Sequence, residues 1–199
     1  MADQSRPGAA RPDNPAPDNP TPDNTGLLAA LSAIAERGAI GERSLPVAIS
    51  HAEQYVRLLP RTPCRVIDLG SGGGLPGLVI AVRCPWVSLT LVERRTRRAD
   101  LLHRAVVALG LESRVTVRGV DVRRVAADEA GQFDYVTARS FAAPPATAHW
   151  ASALLRPGGV LLVSEPPMDD PHRWPPEMLE RESLADLGVE GGIRRFSRR

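Results

Sequence analysis

Apolar residues along this chain recur with two different periods, and the switch between them lays out the fold. Leu27, Leu28, Leu31, Ile34 and Ala35 return at helical spacing from Thr25, a capping residue type, to Gly38, which ends the segment. A second helix is predicted from about Ser44 to Leu59, where Pro60 stops it. The period then shortens. Arg65 to Leu69 is a β-branched run that breaks off in glycines, and Leu78 to Arg83 restarts as a short helix. Val87 to Val92 reads as a second strand ending in Glu93, and Ala99, Leu102, Ala105, Val106 and Leu109 make the buried stripe of a helix that Gly110 ends. Arg114 to Arg118, with Val115 and Val117 alternating, is a third strand, and Phe133 to Ala138 a fourth. A helix over 145–155 leads through the tight turn Arg156-Pro157-Gly158-Gly159 to a fifth strand, Val160 to Ser164. Residues 165–175 read as loop, 176–187 as helix and Ile193 to Ser197 as a last short strand.

Strands alternating with helices predict an α/β fold with a doubly wound, mostly parallel sheet and helices on both faces. Residues 1–25 stand apart. They repeat Pro-Asp-Asn at 12–14, 17–19 and 22–24 with almost nothing apolar, which predicts a disordered tail. One domain is expected over 26–199, with 26–60 as a short helical cap and 61–199 as a Rossmann-like core.

The run Asp68-Leu69-Gly70-Ser71-Gly72-Gly73-Gly74-Leu75-Pro76-Gly77 joins the first strand to its helix, and it has the composition of a ligand cradle. Glycines at 70, 72 and 74 permit positive φ and close approach to backbone amides, and Pro76 suits a first helical turn. Gly72, Gly74 and Gly77 also fit the dinucleotide pattern G-x-G-x-x-G. Asp68 discriminates. A fixed negative charge beside the turn repels a pyrophosphate, whereas S-adenosylmethionine carries an ammonium and a sulfonium that a carboxylate attracts. The plainer role for Asp68, capping the turn, is compatible with the same cofactor.

Three further positions share the carboxyl edge of the expected sheet, where ligands of open α/β folds bind. Glu93, about 20 residues after the glycines, is placed to accept the two ribose hydroxyls of an adenosine. Its alternative is an ion pair with Arg94, Arg95, Arg97 or Arg98, residues that suit a nucleic acid, a 2′-phosphate or a solvated helix start. Asp121 and a neighbouring amide in Gly119-Val120-Asp121-Val122 are placed to bracket an adenine. Arg139 leaves the fourth strand where a substrate would lie, and Phe141 beside it suits stacking on a splayed base or simple burial. His51 and Tyr55, one helical turn apart, read as packing residues rather than catalytic ones.

Composition adds limits. All 25 basic residues are arginine, the net charge is +2, and abundant Ala, Pro and Gly mark a bias across the whole chain, so arginine content alone is weak evidence for nucleic-acid binding. Cys64 and Cys84 lack metal-ligand spacing and read as buried thiols in a reducing compartment, with no metal expected. No apolar run approaches the ~20 residues of a membrane span, and the first residues lack the apolar segment of a signal peptide, so a cytoplasmic protein is expected.

The glycine run, together with Phe133-Asp134-Tyr135-Val136-Thr137-Ala138-Arg139-Ser140-Phe141-Ala142, resembles the glucose-inhibited division protein B family over roughly residues 45 to 165. That resemblance implies a class I methyltransferase fold and S-adenosylmethionine-dependent methylation of N7 of a guanine in small-subunit (16S) ribosomal RNA, with that RNA or the ribosomal subunit as partner. It places Gly70, Leu75, Val120, Asp121 and Arg139 on cofactor-binding positions. With the residues argued above, the candidate cofactor set is Asp68, Gly70, Ser71, Gly72, Gly74, Leu75, Glu93, Val120, Asp121 and Arg139, and the candidate substrate set is Arg139 and Phe141.

Departures from the family pattern fall on the acceptor side. The Asn-Leu-Thr segment is absent, His51 is followed by Gln54 rather than Asp or Asn three residues on, and the fifth strand ends in Glu165-Pro166 instead of Lys-Gly. The C-terminal hairpin looks reduced to one strand. The runner-up reading is therefore a relative that methylates a small molecule.

The residue set also narrows the chemistry. Guanine N7 has a free lone pair and needs no general base, and none is evident beside the glycine turn. Cytosine C5 chemistry needs a cysteine after the fourth or fifth strand, where neither Cys64 nor Cys84 lies. The Asp/Asn-Pro-Pro-aromatic stretch of exocyclic-amine enzymes is replaced here by Ala138-Arg139-Ser140-Phe141.

Overall fold

The structure is a computed structural model that describes residues 24–39, 44–166, 170 and 172–199. The expected tail over 1–25 lies outside the described residues except at its end, where helix α1 (Asn24–Ala35) already begins. Thr25 thus sits inside the helix and not at its cap. Helix α2 spans Leu45–Leu58 and is followed by β1 (Cys64–Leu69), α3 (Gly77–Arg83), β2 (Val87–Val92) and α4 (Thr96–Ala108). Then come β3 (Val115–Arg118), α5 (Val122–Glu129), β4 (Phe133–Ala138), α6 (Pro144–Leu154) and β5 (Leu155–Ser164). The chain closes with α7 (Pro176–Arg181), β6 (Leu184–Glu190) and β7 (Ile193–Arg198).

The strands form one sheet in the order β3-β2-β1-β4-β5-β7-β6. Strands β1 to β5 run parallel, and β7 lies antiparallel between β5 and β6. The order reverses between β1 and β4, which opens a crevice at their carboxyl ends. Both sheet faces are covered, which is why β1 reads as a nearly continuous apolar run. Val66, Leu89 and Leu162 join α1 to α4 in one core, while Ile67, Leu161 and Val163 join α5 to α7 in the other.

Four features differ from the sequence reading. Strand β5 begins at Leu155 and not at Val160, so the expected tight turn Arg156-Pro157-Gly158-Gly159 lies inside it, at the irregularity in its pairing with β4. Helix α5 was not identified, although Asp121 caps it and Val122 and Val125 form its buried stripe. The helix expected over 176–187 stops at Arg181, and Ser183 turns the chain with φ 55 into strand β6. The C-terminal hairpin is complete rather than reduced to one strand, with β6 and β7 paired from Leu184↔Arg198 to Glu190↔Ile193. Gly191 and Gly192, at φ 58 and 77, make the two-residue turn. Most of β6 is exposed at the sheet edge, so it carries no alternation of buried residues to betray it.

Helix α3 approaches the sheet so closely that position 77 has no room for a side chain. A Cβ on Gly77 would collide with Leu91 and come within 2.8 Å of Asp68 Oδ2. Gly77→Ala should therefore destabilise the fold by about 1–3 kcal/mol through overpacking, despite the better helix propensity of alanine. Urea denaturation checks this, and an unchanged midpoint would mean that α3 can shift at no cost.

Candidate functional site

The turn after β1 is held from inside. Ser71 Oγ donates to the Asp68 carbonyl at 2.9 Å, Ser71 N donates to the Val92 carbonyl at 2.9 Å and Gly74 N to the Ser71 carbonyl at 2.7 Å. Gly70, Gly72 and Gly74 all have positive φ. At Gly70 a Cβ would sit 2.8 Å from Phe141 Cδ2, so the aromatic ring packs directly over a bare backbone. The glycine there serves a close approach as well as a turn.

At the end of β2, Glu93 is buried, and both of its carboxylate oxygens are directed by backbone amides. Gly72 N donates to Oε2 at 3.1 Å and Arg95 N to Oε1 at 2.8 Å. No ion pair with Arg94, Arg95, Arg97 or Arg98 forms among the described residues. Each oxygen keeps a second lone pair for a ligand. At the end of β3, Asp121 caps α5: its Oδ1 accepts from Arg123 N at 3.0 Å and Arg123 Nε at 2.9 Å. The Arg123 guanidinium beside it holds the Asp121 carboxyl below the usual carboxylate range.

These residues surround a cavity of about 360 Å³ at the carboxyl ends of β1 to β4. Its walls include Gly70, Glu93, Val120, Asp121 and Phe141 from the sequence set, together with Arg94, Arg95, Arg98, Val122, Arg123, Ser140 and Trp150. Ser140 holds a left-handed φ of 54, uncommon outside glycine, where the chain leaves β4. Trp150 was not singled out in the sequence. It belongs to α6, whose apolar stripe hides a site residue among packing residues. The one available signal was that this helix follows the strand that carries Arg139.

The remaining members of the set lie outside this cavity. Asp68 is 1% exposed; its Oδ1 accepts from Thr137 Oγ1 at 2.7 Å and its Oδ2 is turned toward Gly77. Burial raises its pKa to about 6, against the lowering effects of Thr137, Ser71 and Arg139. Leu75 is buried in the core beside α3, and Gly74 lets Leu78 and Leu102 close over the turn. Arg139 is half-buried and projects its field onto Asp68 and Tyr55. Tyr55, on α2, donates its hydroxyl to the Ala138 carbonyl at 2.9 Å, and burial raises its pKa so that it stays a donor. His51 packs edge-on against Tyr55 at 6.0 Å.

Cys64 and Cys84 are buried with their thiols pushed up to about 11 by burial, which makes them unreactive. Among the described residues no three His, Cys, Asp or Glu side chains converge to hold a metal ion. Among the described residues no helix is long and apolar enough to cross a membrane.

The cavity fits an adenosine-sized group. Its volume lies in the range of small-ligand sites, and Glu93 offers two pre-aligned acceptors on its wall.

The chain is similar to known proteins. The sequence model of the family described as rRNA small subunit methyltransferase G matches residues 30–166. A curated protein named Ribosomal RNA small subunit methyltransferase G from Mycolicibacterium gilvum is 41% identical over 126 residues, 63% of this chain and 53% of that protein. A protein of the same name from Stenotrophomonas maltophilia is 43% identical over 96 residues, 48% of this chain and 44% of the relative. The chain thus spans about half the length of the curated relatives it matches. Among solved structures, a SAM dependent methyltransferase from Aquifex aeolicus superposes with a TM-score of 0.56 at 14% identity, over 84% of this chain and 97% of that one, which shows a shared fold.

The buried Asp68 gives a pH test. Its folded pKa of about 6 exceeds the ordinary 3.8 of an aspartate, so the folded protein binds the extra proton between those values and loses stability as pH rises through them. In the ligand-free protein, the stability of wild type relative to Asp68→Asn should fall by about 3 kcal/mol from pH 3.5 to 7 and level off above that. Denaturation at a series of pH values measures it, and a difference that stays flat would show that Asp68 is not desolvated.

Proposed function

We propose, from the premise that this chain belongs to the rRNA small subunit methyltransferase G family, that it transfers the methyl group of S-adenosylmethionine to N7 of a guanine in small-subunit (16S) ribosomal RNA. The observation that carries this reading is a nucleoside-sized cavity with a pre-aligned carboxylate, Glu93, and neither imidazole nor thiol on its walls. Such a site can bind and align, but it has little means to remove a proton. N7 of guanine needs none removed.

When bound, S-adenosylmethionine supplies a methyl group on a sulfonium, a good leaving group for in-line displacement by the N7 lone pair. Glu93 would accept the ribose hydroxyls, and Asp121 with the adjoining backbone would recognise the adenine amino edge. Gly70, the member of the glycine turn on the cavity wall, would face the cofactor. Arg139 would hold a carboxylate or an RNA phosphate bidentately, and Phe141 would stack on the acceptor base. Phe141 and Trp150, apolar groups on the cavity wall, would limit water beside the bound cofactor, so that alignment would supply most of the acceleration. Asp68, below the turn, contributes a negative field that favours a cation above it.

Two measurements test this. Glu93→Ala should weaken S-adenosylmethionine binding by about 1–3 kcal/mol in calorimetry, because a charged acceptor is lost from two hydroxyls. Unchanged affinity would move the ribose elsewhere. Labelled S-adenosylmethionine, incubated with ribosomal RNA from cells lacking this gene, should place label on one guanine N7. Cofactor binding without incorporation into RNA or intact small subunits would defeat the RNA reading and direct the search to a small acceptor.

A further inference from the structure

We propose that Arg94, Arg95, Arg97, Arg98 and Arg124 form a docking surface for the phosphate backbone of the RNA substrate, an inference that rests on the functional reading above. Arg65 and Arg118 pair with Glu129, Arg83 with Glu53, Arg156 with Asp134, and Arg173 and Arg194 with Glu165. Arg37, Arg114 and Arg198 instead donate their guanidinium groups to backbone carbonyls.

Among the described residues, the side chains of the five named arginines make neither kind of contact. Arg94, Arg95, Arg97 and Arg124 are exposed and Arg98 half-buried, and among the described residues none has a carboxylate within ion-pair distance. Asp100, exposed on α4, makes no ion pair with them either. Glu93 accepts from two backbone amides, and Asp121 is held by Arg123, with Arg94 adding only a longer-range field.

Their placement is also locally unfavourable. Four of them lie within or just before the first turn of α4, which contains no acidic residue, at the end of a helix dipole that repels cations. Mutual repulsion and the dipole both oppose this arrangement, while a net charge of only +2 for the whole chain shows that it is not general surplus. A polyanion reverses both penalties. Local rules broken without local compensation are expected at functional surfaces.

Position supports the same partner. Arg94, Arg95 and Arg98 line the cavity that would hold the methyl donor, so the charged surface is continuous with the reactive site. RNA entering that site would pass its backbone over these guanidinium groups, which bind phosphate bidentately. A small neutral acceptor would have no use for them.

Arg97 and Arg124 lie outside the cavity wall and are the residues to change. Filter binding of small-subunit ribosomal RNA across a salt series should show the Arg97→Gln/Arg124→Gln protein binding about tenfold more weakly, with the slope of log affinity against log salt reduced by about 1.5–2. Its S-adenosylmethionine affinity should match wild type, and Arg97→Lys/Arg124→Lys should retain most of the slope. Wild-type affinity and slope in the double glutamine protein, from an enzyme that does methylate the RNA, would overturn the docking surface alone. Wild-type protein that binds cofactor but never takes up RNA would overturn the functional reading and this surface with it.

Discussion

The site depends on one buried carboxylate that ties together three elements far apart in sequence. Glu93 ends β2, and through its two oxygens it receives the Gly72 amide from the turn after β1 and the Arg95 amide just before α4. A buried carboxylate without partners is costly, and donors that fix both oxygens offset that cost. Here the partners are backbone, which makes the carboxylate's direction a property of the fold and not of a mobile side chain. The cavity inherits its shape from this constraint, because the glycine turn and the start of α4 form two of its walls.

Much of this was legible because the parallel strands are buried on both faces and therefore carry long apolar runs. β2 and β4 were read at the observed boundaries, and the glycine turn was located by residues that have few other uses. What escaped detection was either short or exposed. Helix α5 has only two buried side chains, and β6 is an edge strand in which helix-permitting residues such as Leu184, Ala185 and Leu187 hide its pairing. The Gly191-Gly192 turn was the signal that could have recovered the hairpin.

The candidate site was legible in a different way. Glu93, Asp121 and Phe141 were placed on the carboxyl edge by counting strand ends, and they meet at the cavity. Ser71, Gly74 and Leu75 belong to the same motif, yet they face inward and build the turn. A motif read as text does not distinguish the residues that shape a loop from those that face what it holds; that requires the packing of α3, which Gly77 permits. Tyr55 shows the converse. It read as packing, and packing is what it does, but its hydroxyl also fixes the Ala138 carbonyl and so links α2 to the residue before Arg139.

Glu165 bears on how the acceptor side should be understood. A carboxylate where the resembling family carries lysine would change the field around an incoming RNA if it faced the crevice. It faces the hairpin instead. Trp174 Nε1 donates to its Oε1 at 2.5 Å, Arg194 Nε lies 3.3 Å from the same oxygen, and Arg173 Nε lies 3.0 Å from Oε2. Its backbone amide also donates to the Gly192 carbonyl at 3.0 Å. With only 13% of its side chain exposed, its charge is neutralised within the protein and serves to hold the segment after β5 against the β6–β7 turn. The substitution therefore removes a cation from the end of β5 without presenting an anion to substrate. Arg94, Arg95 and Arg98, beside the start of α4, remain as cationic side chains on the cavity wall, so the positive charge next to the cavity lies at its β2–β3 edge and not at its β5 edge.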